Sequence, residues 1–425
     1  MKTLDDFIKP RKPWEVEGIE WREVRLGEVC IINPKKSEVR TLLEQNLNVS
    51  FIPMEYVDDS EGRIVKKDVK PINAVYKGYT YFKEGDVLFA KITPCMENGK
   101  SAIARDLTNG IGFGSTEFHV LRPNKGILSE FIFYFIRRKK FRNLAKLYFT
   151  GTVGHKRVPK EFLINTKIPL PFHNGKPDLE TQKKIVEYIE ANFSRIDNIL
   201  EKKKKELEQL DELWESILEQ AFKPKEGEEW REVRLGEVCQ RRGENVIPVR
   251  NNYIYVGLEH INSGEIKLVR WEYSNKVKST KYKFYPDDIL YGKLRPYLDK
   301  AVISDKEGIC STDFIVITPI KDKVLPFYLI YFLHTKSFVS YSISMMKGVH
   351  LPRVSWTIIK RVKIPIPFRN GKPDIEKQKE IANYLDEVYE RIKTLKEKIQ
   401  KQINLLEEIK ESILDEVFNG EGGGK

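Results

Sequence analysis

A segment of nineteen residues occurs twice in the chain, and this duplication constrains the fold more than any other feature. Lys167–Ile185 reads KIPLPFHNGKPDLETQKKI, and Lys363–Ile381 reads KIPIPFRNGKPDIEKQKEI. The copies align without a gap at an offset of 196 residues, and 14 of 19 positions are identical. Each copy predicts a proline-bearing strand, an Asn-Gly turn and the start of a long polar helix. We therefore read the chain as a tandem duplication.

Other repeated segments extend the duplication over most of the chain. Glu20–Cys30 (EWREVRLGEVC) recurs unchanged at Glu229–Cys239, at an offset of 209 residues. Glu84–Pro94 resembles Pro286–Pro296 at an offset of 202, and after position 115 the offset stays at 196. The first copy thus carries 13 extra residues, all before position 115, where insertions belong in surface loops. The mixture of short strands and helices in each copy predicts an α+β domain.

Local patterns predict further elements in both copies. Val49–Val57 and Tyr253–Ile261 read as strands, and a strand through Pro169 or Pro365 closes each copy. Residues 131–141 and 327–337 are amphipathic and rich in aromatic side chains, which predicts one packed helix in each copy. Cys30 and Cys239, which occupy equivalent positions, are predicted to be core thiols.

Two long helices follow the nineteen-residue segments. Asp178 and Asp374, each directly after a proline, mark helix starts, and the helices extend to about Phe222 and Phe418. An apolar stripe of 3.5-residue period, sustained over the whole length, is typical of a coiled coil rather than of a globular core helix. The stripe comprises Val186, Ile189, Phe193, Ile196, Leu207, Leu210 and Trp214, and then Leu385, Tyr389, Ile392, Ile399, Ile403, Leu406 and Ile413.

The order of these elements predicts the domain organisation. We expect an N-terminal lead-in (residues 1–13), a first α+β domain (14–173), a central helical region (174–223), a second α+β domain (224–369), a C-terminal helical region (370–419) and a tail (420–425). Helices that leave successive domains pair in antiparallel fashion, which predicts approximate two-fold symmetry. A helix of ~44 residues at 1.5 Å per residue is roughly 65 Å long.

Composition favours a polyanionic partner. The net charge is +12, with a sequence pI near 9.1, and this suits nucleic acid; the alternative is a Lys-rich surface of the kind seen in thermophile proteins. Four dispersed cysteines form neither a zinc pattern nor a disulfide framework. Neither an apolar run of membrane-spanning length nor a secretion signal is recognisable, so we expect a reducing cytoplasm.

Basic loops in each copy are the candidate DNA readers. Arg and Lys can pair with guanine, and Thr, Tyr or His can reach bases or phosphates. The alternative is that these are solvated loops and that the aligned Arg157 and Arg353 brace the domain or contact phosphate; substituted positions, such as Thr93 against Arg295, are better candidates for specificity. The predicted DNA-binding residues are Lys91, Thr93, Lys100, His155, Lys156 and Arg157, with Lys293, Arg295, Tyr297, Lys347, His350 and Arg353.

Catalytic motifs are not recognisable. Asn98–Ser101 imitates the end of a P-loop, but Pro94 replaces the required first glycine. The Pro177-Asp178 and Pro373-Asp374 pairs are explained as helix starts. The histidines have no metal-ligand spacing, and we predict neither a metal site nor a cofactor site in this chain.

Taken together, these repeated segments resemble the specificity subunit of type I restriction–modification systems. The resemblance is carried by the doubled WREVRLGEVC, the strands before Lys91 and Lys293, the Arg-Val loops, and the doubled IPLPF/IPIPF followed by a helix with Gln182 or Gln378. It covers about residues 14–418 in the order target-recognition domain, helical region, target-recognition domain, helical region.

The resemblance implies a non-catalytic protein that recognises an asymmetric, bipartite site in double-stranded DNA within a prokaryotic cytoplasm. The implied partners are two modification subunits, which methylate adenine with S-adenosylmethionine, and restriction subunits that use ATP and Mg²⁺. Two alternatives stay open on the sequence. One is a coiled-coil adaptor whose end domains bind proteins, and the other is a self-sufficient nuclease or methyltransferase.

Overall fold

The nineteen-residue segments form the same local structure in both copies. The computed structural model describes residues 12, 14–152, 155–247, 253–274 and 279–419, so most of the predicted lead-in, Gly154 in the first basic loop, and the predicted tail lie outside the described residues. The chain forms two compact units. Unit 1 comprises the described residues up to Lys202 and those from Gln402 onward, and unit 2 comprises Lys203–Lys401.

Unit 1 contains eleven strands among its described residues. They are β1 (Glu20–Arg25), β2 (Cys30–Ile32), β3 (Asn48–Ile52), β4 (Asp68–Pro71), β5 (Thr80–Lys83), β6 (Val87–Ala90), β7 (Ser101–Ile103), β8 (Ile111–Gly114), β9 (Phe118–Pro123), β10 (Lys167–His173) and β11 (Lys176–Pro177). The α-helices are α1 (Leu26–Val29), α2 (Ile72–Val75), α3 (Ser129–Arg137), α4 (Lys139–Leu147), α5 (Lys160–Asn165) and the long α6 (Leu179–Ala221), which continues into unit 2.

The strands of unit 1 form three sheets. Their orders are β1-β10-β11, β2-β9-β6-β7 and β4-β3-β8-β5, and only β3 and β8 pair in parallel. Phe82, Leu88 and Phe118 lie together in the core between the four-stranded sheets. Burial of these strands on both faces explains their continuous apolar runs, such as VLFA in β6.

Unit 2 repeats this plan. Its strands are β12 (Glu229–Arg234), β13 (Cys239–Arg241), β14 (Asn245–Val246), β15 (Ile254–Val256), β16 (Glu272–Tyr273), β17 (Lys281–Phe284), β18 (Ile289–Gly292), β19 (Ala301–Ile303), β20 (Gly308–Cys310), β21 (Phe314–Pro319), β22 (Lys363–Arg369) and β23 (Lys372–Pro373). Its α-helices are α7 (Leu235–Val238), α8 (Pro326–Leu333), α9 (Lys336–Ser344), α10 (Trp356–Ile359) and the long α11 (Ile375–Phe418), which continues into unit 1. The sheets are β12-β22-β23, β13-β21-β18-β19 and β14-β17-β20-β15-β16.

The closing strand of each copy pairs with the opening strand. Trp21 lies opposite Pro171 in unit 1, and Trp230 lies opposite Pro367 in unit 2. The prediction of a strand through Pro169 and Pro365 is confirmed. The predicted core thiols are also confirmed, because Cys30 and Cys239 are buried and burial raises the pKa of each thiol to about 12.

Two sequence predictions need correction. The single helix expected at residues 131–141 is two helices, α3 and α4, separated by the extended residue Arg138, and the single helix at 327–337 is likewise α8 and α9. In unit 2 the second helix begins where the Thr335 hydroxyl accepts a hydrogen bond from the Phe338 N–H. The predicted strands at 49–57 and 253–261 are shorter than expected, because each ends in a 3₁₀ turn after a proline or glycine.

Both long helices start where the sequence predicts. The Asp178 carboxylate accepts the Thr181 N–H at 2.8 Å, and Asp374 accepts the Lys377 N–H at 3.0 Å, so each aspartate satisfies a free donor of the first turn. In unit 2 the helices run antiparallel, because Asp211 pairs with Lys396 while Trp214 packs against Tyr389 at 5.5 Å. In unit 1 Lys410 pairs with Asp197 and covers the ring of Phe193.

The stripe residues of both helices are buried or half-buried. Two of the lysines that interrupt the stripe, Lys396 and Lys410, pair with aspartates of the facing helix, and the third, Lys203, pairs with Glu206 of its own helix at 2.8 Å. The predicted domain boundaries separate each helix from the domain before it, whereas the compact units divide each helix near its middle. Those boundaries stay a prediction.

Candidate nucleic-acid interface

Two loops that are distant in sequence meet in unit 1. The segment that leaves β6 pairs with the loop before α5, through a bridge between Ile92 and Arg157. The Thr93 N–H donates to the Lys156 carbonyl at 3.0 Å, and the Val158 N–H donates to the Lys91 carbonyl at 2.9 Å. The candidate readers at 91–93 and 155–157 therefore belong to one surface, which we call reader surface 1.

Unit 2 builds the same arrangement, reader surface 2. Leu294 and Arg353 form the equivalent bridge, and Arg353 also pairs with Lys347 across a short loop. The Arg295 N–H donates to the Pro352 carbonyl at 2.8 Å, and the Val354 N–H donates to the Lys293 carbonyl at 3.0 Å. Backbone pairing fixes the position of both loops independently of their side chains, so the side chains are free to differ.

The two aligned arginines are held by carboxylates. Arg157 binds Glu117 through two hydrogen bonds, of 2.9 Å from Nε and 2.7 Å from Nη2. Arg353 binds Asp313 through the same two nitrogens at 3.3 and 3.1 Å, but both donate to the single oxygen Oδ1. Hydrogen bonds from Arg157, opposed by partial burial, lower the pKa of the Glu117 carboxyl. These pairs agree with the interpretation that Arg157 and Arg353 brace the framework.

A half-buried lysine lies beside each arginine. Burial lowers the pKa of Lys91, and the positive charge of Arg157 adds to this effect while Glu117 opposes it. Burial also lowers the pKa of Lys293, with Asp313 opposing and Arg241 and Arg353 adding. Cations pressed together in this way favour an anionic partner.

The substituted positions differ in environment. The Thr93 hydroxyl is engaged within the domain, where it donates to Glu97. Arg295 is exposed and has a left-handed backbone with φ of 52°, and Tyr297 nearby is 48% exposed. The side chains of Arg295 and Tyr297 are therefore available to a partner.

The remaining predicted readers fall into two groups. His155, Lys156, Lys347 and His350 are exposed on the reader surfaces. Lys100 is different, because its ammonium donates to the Met54 carbonyl at 3.1 Å, as Lys300 does to the Leu258 carbonyl at 2.7 Å in unit 2. This repeated bond favours a structural role for Lys100, and its DNA contact stays a prediction.

Sequence reasoning missed one residue of reader surface 2. Arg241, at the end of β13, lines a cleft of about 290 Å³ together with Lys293, Lys347, Arg353 and Trp356. Its guanidinium donates to the Tyr282 hydroxyl at 3.3 Å. The sequence does contain a signal for this residue. The offset of 209 aligns the buried Ile32 with Arg241, and a cation at the position of a core residue indicates a different role in the second copy.

Other chemistry is not apparent in the part of the chain that the structure describes. No group of three or more His, Cys, Asp or Glu side chains there could hold a metal ion. None of the helices in the described ranges combines the length and apolarity needed to span a bilayer.

Comparison with known proteins identifies the family. A family model for the type I restriction modification DNA specificity domain matches residues 18–209 and 227–405. The chain belongs to this specificity family. The two matched segments correspond to the two copies of the duplication, and together they cover most of the chain.

Individual specificity subunits show the same relationship. The chain is 37% identical to the EcoEI specificity subunit of Escherichia coli over 40% of its own length and 28% of that subunit, and 34% identical to the EcoAI subunit over 51% and 35%. It therefore spans about a third of the length of these relatives. It is also 24% identical to the MjaIX specificity subunit of Methanocaldococcus jannaschii over 98% of this chain and 95% of that one.

Solved structures agree on the fold. A chain from a study of complex assembly and conformational transition in the type I R-M system superposes with a TM-score of 0.74 at 24% identity, over 94% of this chain and 98% of that one. The HsdS subunit of Thermoanaerobacter tengcongensis gives a TM-score of 0.56 at 22% identity, over 95% and 97%. The duplicated α+β domains with two long helices are thus a known architecture.

Proposed function

We propose that this specificity subunit recognises an asymmetric, bipartite site in double-stranded DNA, one half with each reader surface. The observation that carries the proposal is the repetition of one backbone frame with different side chains. Both frames hold a half-buried lysine and a braced arginine, but Arg295 and Arg241 of surface 2 stand where surface 1 has Thr93 and Ile32. Two similar backbone frames that carry different side chains suit the recognition of two different half-sites.

The chemistry of the surfaces suits a division of labour. Lys91 and Lys293, confined beside arginines, are suited to phosphates, which carry no sequence information directly. Arg295 and Tyr297 project from the framework, and an arginine can contact the O6 and N7 of guanine. Arg241 adds a cation to surface 2 that surface 1 does not match.

The long helices are proposed to set the distance between half-sites and to bind two DNA adenine methyltransferase subunits. Four exposed apolar residues support two equivalent docking faces: Ile199 and Ile409 in unit 1 (42% and 40% exposed), and Leu213 and Leu395 in unit 2 (49% and 47%). The offset of 196 relates Ile199 to Leu395 and Leu213 to Ile409. Each of the four is directly followed in the sequence by a stripe position, so it lies beside the line of contact between the two helices.

We assign the chemistry of the complex to its other subunits. This chain serves as the non-catalytic specificity component in a prokaryotic cytoplasm, where the DNA lies. The methyltransferase subunits bind S-adenosylmethionine, and restriction subunits use ATP and Mg²⁺. The chain itself is proposed to bind none of these cofactors.

A methylation experiment tests the proposal. The chain is co-expressed with its methyltransferase subunit, and methylated adenines are mapped over a whole genome. We expect one split, asymmetric sequence. Arg295→Ala is expected to relax one base position in one half-site, and Thr93→Arg, which copies the residue of surface 2, is expected to affect only the other half, because each residue lies in a different unit.

A binding measurement complements the map. Affinity of the assembled complex for the mapped site is expected to fall linearly with the logarithm of salt concentration, and Lys293→Ala is expected to reduce the slope by about one without changing the sequence read. An adaptor that binds only proteins has no such slope. Methylation that follows the methyltransferase subunit regardless of this chain contradicts the proposal.

A further inference from the structure

Lys12 and Trp14 pack against the long helices of unit 1. The ring of Trp14 packs edge-on against Tyr188 at 5.3 Å, and Trp14 is only 4% exposed. The Lys12 ammonium binds the Glu416 carboxylate at 2.6 Å. On the same helices, Ile185, three residues before Tyr188, and Val417, next to Glu416, are 0% and 1% exposed.

The equivalent site in unit 2 is open. Tyr384, the counterpart of Tyr188 at the offset of 196, is 53% exposed. It lines a groove of about 340 Å³ between the end of α6 and the start of α11, together with Ile217, Ala221 and Ile381. The counterparts of the last two in unit 1 are Val417 and Ile185. The groove is thus the same helical surface without its cover.

The reason for the difference lies in one residue. The offset of 209 relates Trp14 to Lys223, and the same offset relates Gly18 to Gly227, which have matching φ of 81° and 82°. The two segments therefore follow similar paths, but unit 2 presents an exposed lysine where unit 1 presents an indole. Within the described residues of unit 2, the groove keeps its apolar lining, with Trp230 along its wall, but a lysine stands at the position of Trp14.

The charges around the groove define what can fill it. Lys377 is paired with Glu228 at 3.0 Å and Glu380 at 3.4 Å. Lys223 and Lys225 form no ion pair with any residue that the structure describes. An occupant that repeats the aromatic contact of unit 1 carries an aromatic side chain for Tyr384. The charge is reversed relative to unit 1, where Lys12 of the cover pairs with Glu416 of the helix, so an occupant of unit 2 carries a carboxylate for the two lysines. Leu213, on the proposed docking face, adjoins Ile217 one turn along α6.

We propose that this groove binds an aromatic side chain with an adjacent carboxylate on the methyltransferase subunit. The inference rests on the proposed function, since it names that subunit as the partner. It adds a contact that only unit 2 can make, because Trp14 already occupies the site in unit 1. The two docking faces are therefore chemically unequal at this point.

The test fills or empties the groove and measures binding of the purified methyltransferase subunit to the full-length chain by calorimetry. Lys223→Trp copies unit 1, and it is expected to weaken binding at least about tenfold while the melting temperature stays or rises. Lys77→Trp, which places the same side chain at an exposed turn of unit 1, is the matched control and is expected to change affinity less than about threefold. Tyr384→Ala removes the aromatic floor, and we expect a loss of about tenfold, in the range of aromatic interface residues.

The outcomes separate the two claims. If wild-type chain binds the methyltransferase subunit and directs methylation to a split site, but Lys223→Trp and Tyr384→Ala bind as wild type, the groove inference is wrong and the proposed function stands. If the wild-type chain does not bind that subunit, the proposed function fails first. If Lys223→Trp lowers the melting temperature, its loss of binding reflects destabilisation, and the affinity of Tyr384→Ala then decides whether the groove binds the partner. A photoreactive phenylalanine at position 384 is expected to cross-link next to an aromatic residue of the partner.

Discussion

A buried carboxylate in each unit is neutralised by an arginine from a different strand. In unit 1 Asp86 receives Nε and Nη2 of Arg122, from β9, at 2.8 and 2.7 Å. In unit 2 the equivalent Asp288 receives Arg242, which follows β13, at 2.7 and 3.1 Å. Asn33 stands at the position of Arg242, so the two copies have exchanged the source of the cation.

This exchange predicts a rescue. Arg122→Thr leaves the buried Asp86 unpaired, and we expect a loss of about 3–5 kcal/mol in the free energy of unfolding. Asn33→Arg in that background brings the cation from the side used in unit 2. It also strains a left-handed backbone (φ of 56°) and removes the acceptor of the Val120 N–H, so the net restoration is expected to be only about 1 kcal/mol. Urea unfolding of the single and double variants measures this coupling. If the changes in unfolding free energy of the two single variants simply add in the double variant, the proposed exchange is wrong.

His119 makes the stability of unit 1 sensitive to acid. Its Nε2–H donates to the Val158 carbonyl at 2.8 Å, and burial lowers its pKa to about 4. The native state holds the ring neutral, whereas the unfolded chain binds a proton below about pH 6.5. The stability contribution is therefore complete above about pH 6.5 and is lost as the pH falls towards 4, by up to about 3 kcal/mol.

The measurement compares wild type with His119→Gln, whose amide can keep the bond to Val158 but does not titrate. We expect the difference between their free energies of unfolding to change by about 3 kcal/mol between pH 7 and pH 4. The position corresponds to Ile315 in unit 2, so only unit 1 carries this dependence. If the unfolding free energies of the wild type and the variant change in parallel with pH, His119 is not the source of the acid sensitivity.

At the residue scale, the sequence singled out the basic loops as candidates but not what holds them. The alignment drew attention to Arg157 and Arg353 because they share one offset. Their partners, Glu117 and Asp313, lie 40 residues earlier in the chain and belong to another repeated segment, Ser-Thr-acidic-Phe. A pairing across 40 residues is decided by the fold of the backbone, and periodicity carries no information on it.

At the element scale, each long helix is tied to its unit by a buried glutamine. In unit 1 the Gln182 amide accepts the Leu128 N–H and donates to the Gly126 carbonyl, both at 3.0 Å. In unit 2 Gln378 repeats these bonds with Leu325 and Lys323 at 2.9 and 3.1 Å. Both glutamines are 0% exposed, so the start of each helix is fixed to the loop before α3 or α8.

Replacing this glutamine is expected to loosen the attachment. Gln182→Leu leaves one backbone donor and one acceptor buried without a partner, which predicts a loss of about 2–4 kcal/mol in the free energy of unfolding. Gln209→Leu, at an exposed position of the same helix, is the control and is expected to change stability by less than about 0.5 kcal/mol. Thermal unfolding of both variants distinguishes these expectations.

Helix starts at aspartates and long apolar stripes were readable because their signals are local. The breaks between α3 and α4 and between α8 and α9 were not readable in the same way. The apolar pattern continues across both breaks, and the buried Arg138 stacks on Phe135 at 4.3 Å and Phe418 at 5.0 Å. Arg138 has an extended backbone at the position where its side chain meets the end of α11, a contact set by packing.

At the scale of the whole molecule, the helices carry a prediction about DNA spacing. Adding four residues to both α6 and α11 lengthens each by about 6 Å and turns it by about one revolution. We expect the methylome to show a changed gap between unchanged half-sites. The same insertion at the exposed turn of Gly78 is the control and is expected to leave the gap as it was. Altered half-sites with a constant gap would contradict the proposed role of the helices.

The duplication made the general architecture predictable, because two copies of an α+β frame followed by a long helix leave few arrangements. Antiparallel pairing of the two helices also predicts that the C-terminus returns toward the first domain, and residues from Gln402 onward do belong with the first copy. The residue at which each helix passes from one unit to the other was not predictable, because it depends on packing between segments about 200 residues apart.

Unit 1 is built from two segments that are separated in the chain by unit 2, and this has a consequence for its synthesis. Phe418, near the end of α11, packs on Phe131 and Phe135 at 4.9 and 5.5 Å. A ribosome that adds about 5–20 residues per second needs roughly a quarter of a minute to a minute to proceed from Phe131 and Phe135 to Phe418, which covers them. Unit 2, a continuous stretch, is complete before then. A nascent chain stalled near its end is thus expected to expose apolar surface in the half that was made first.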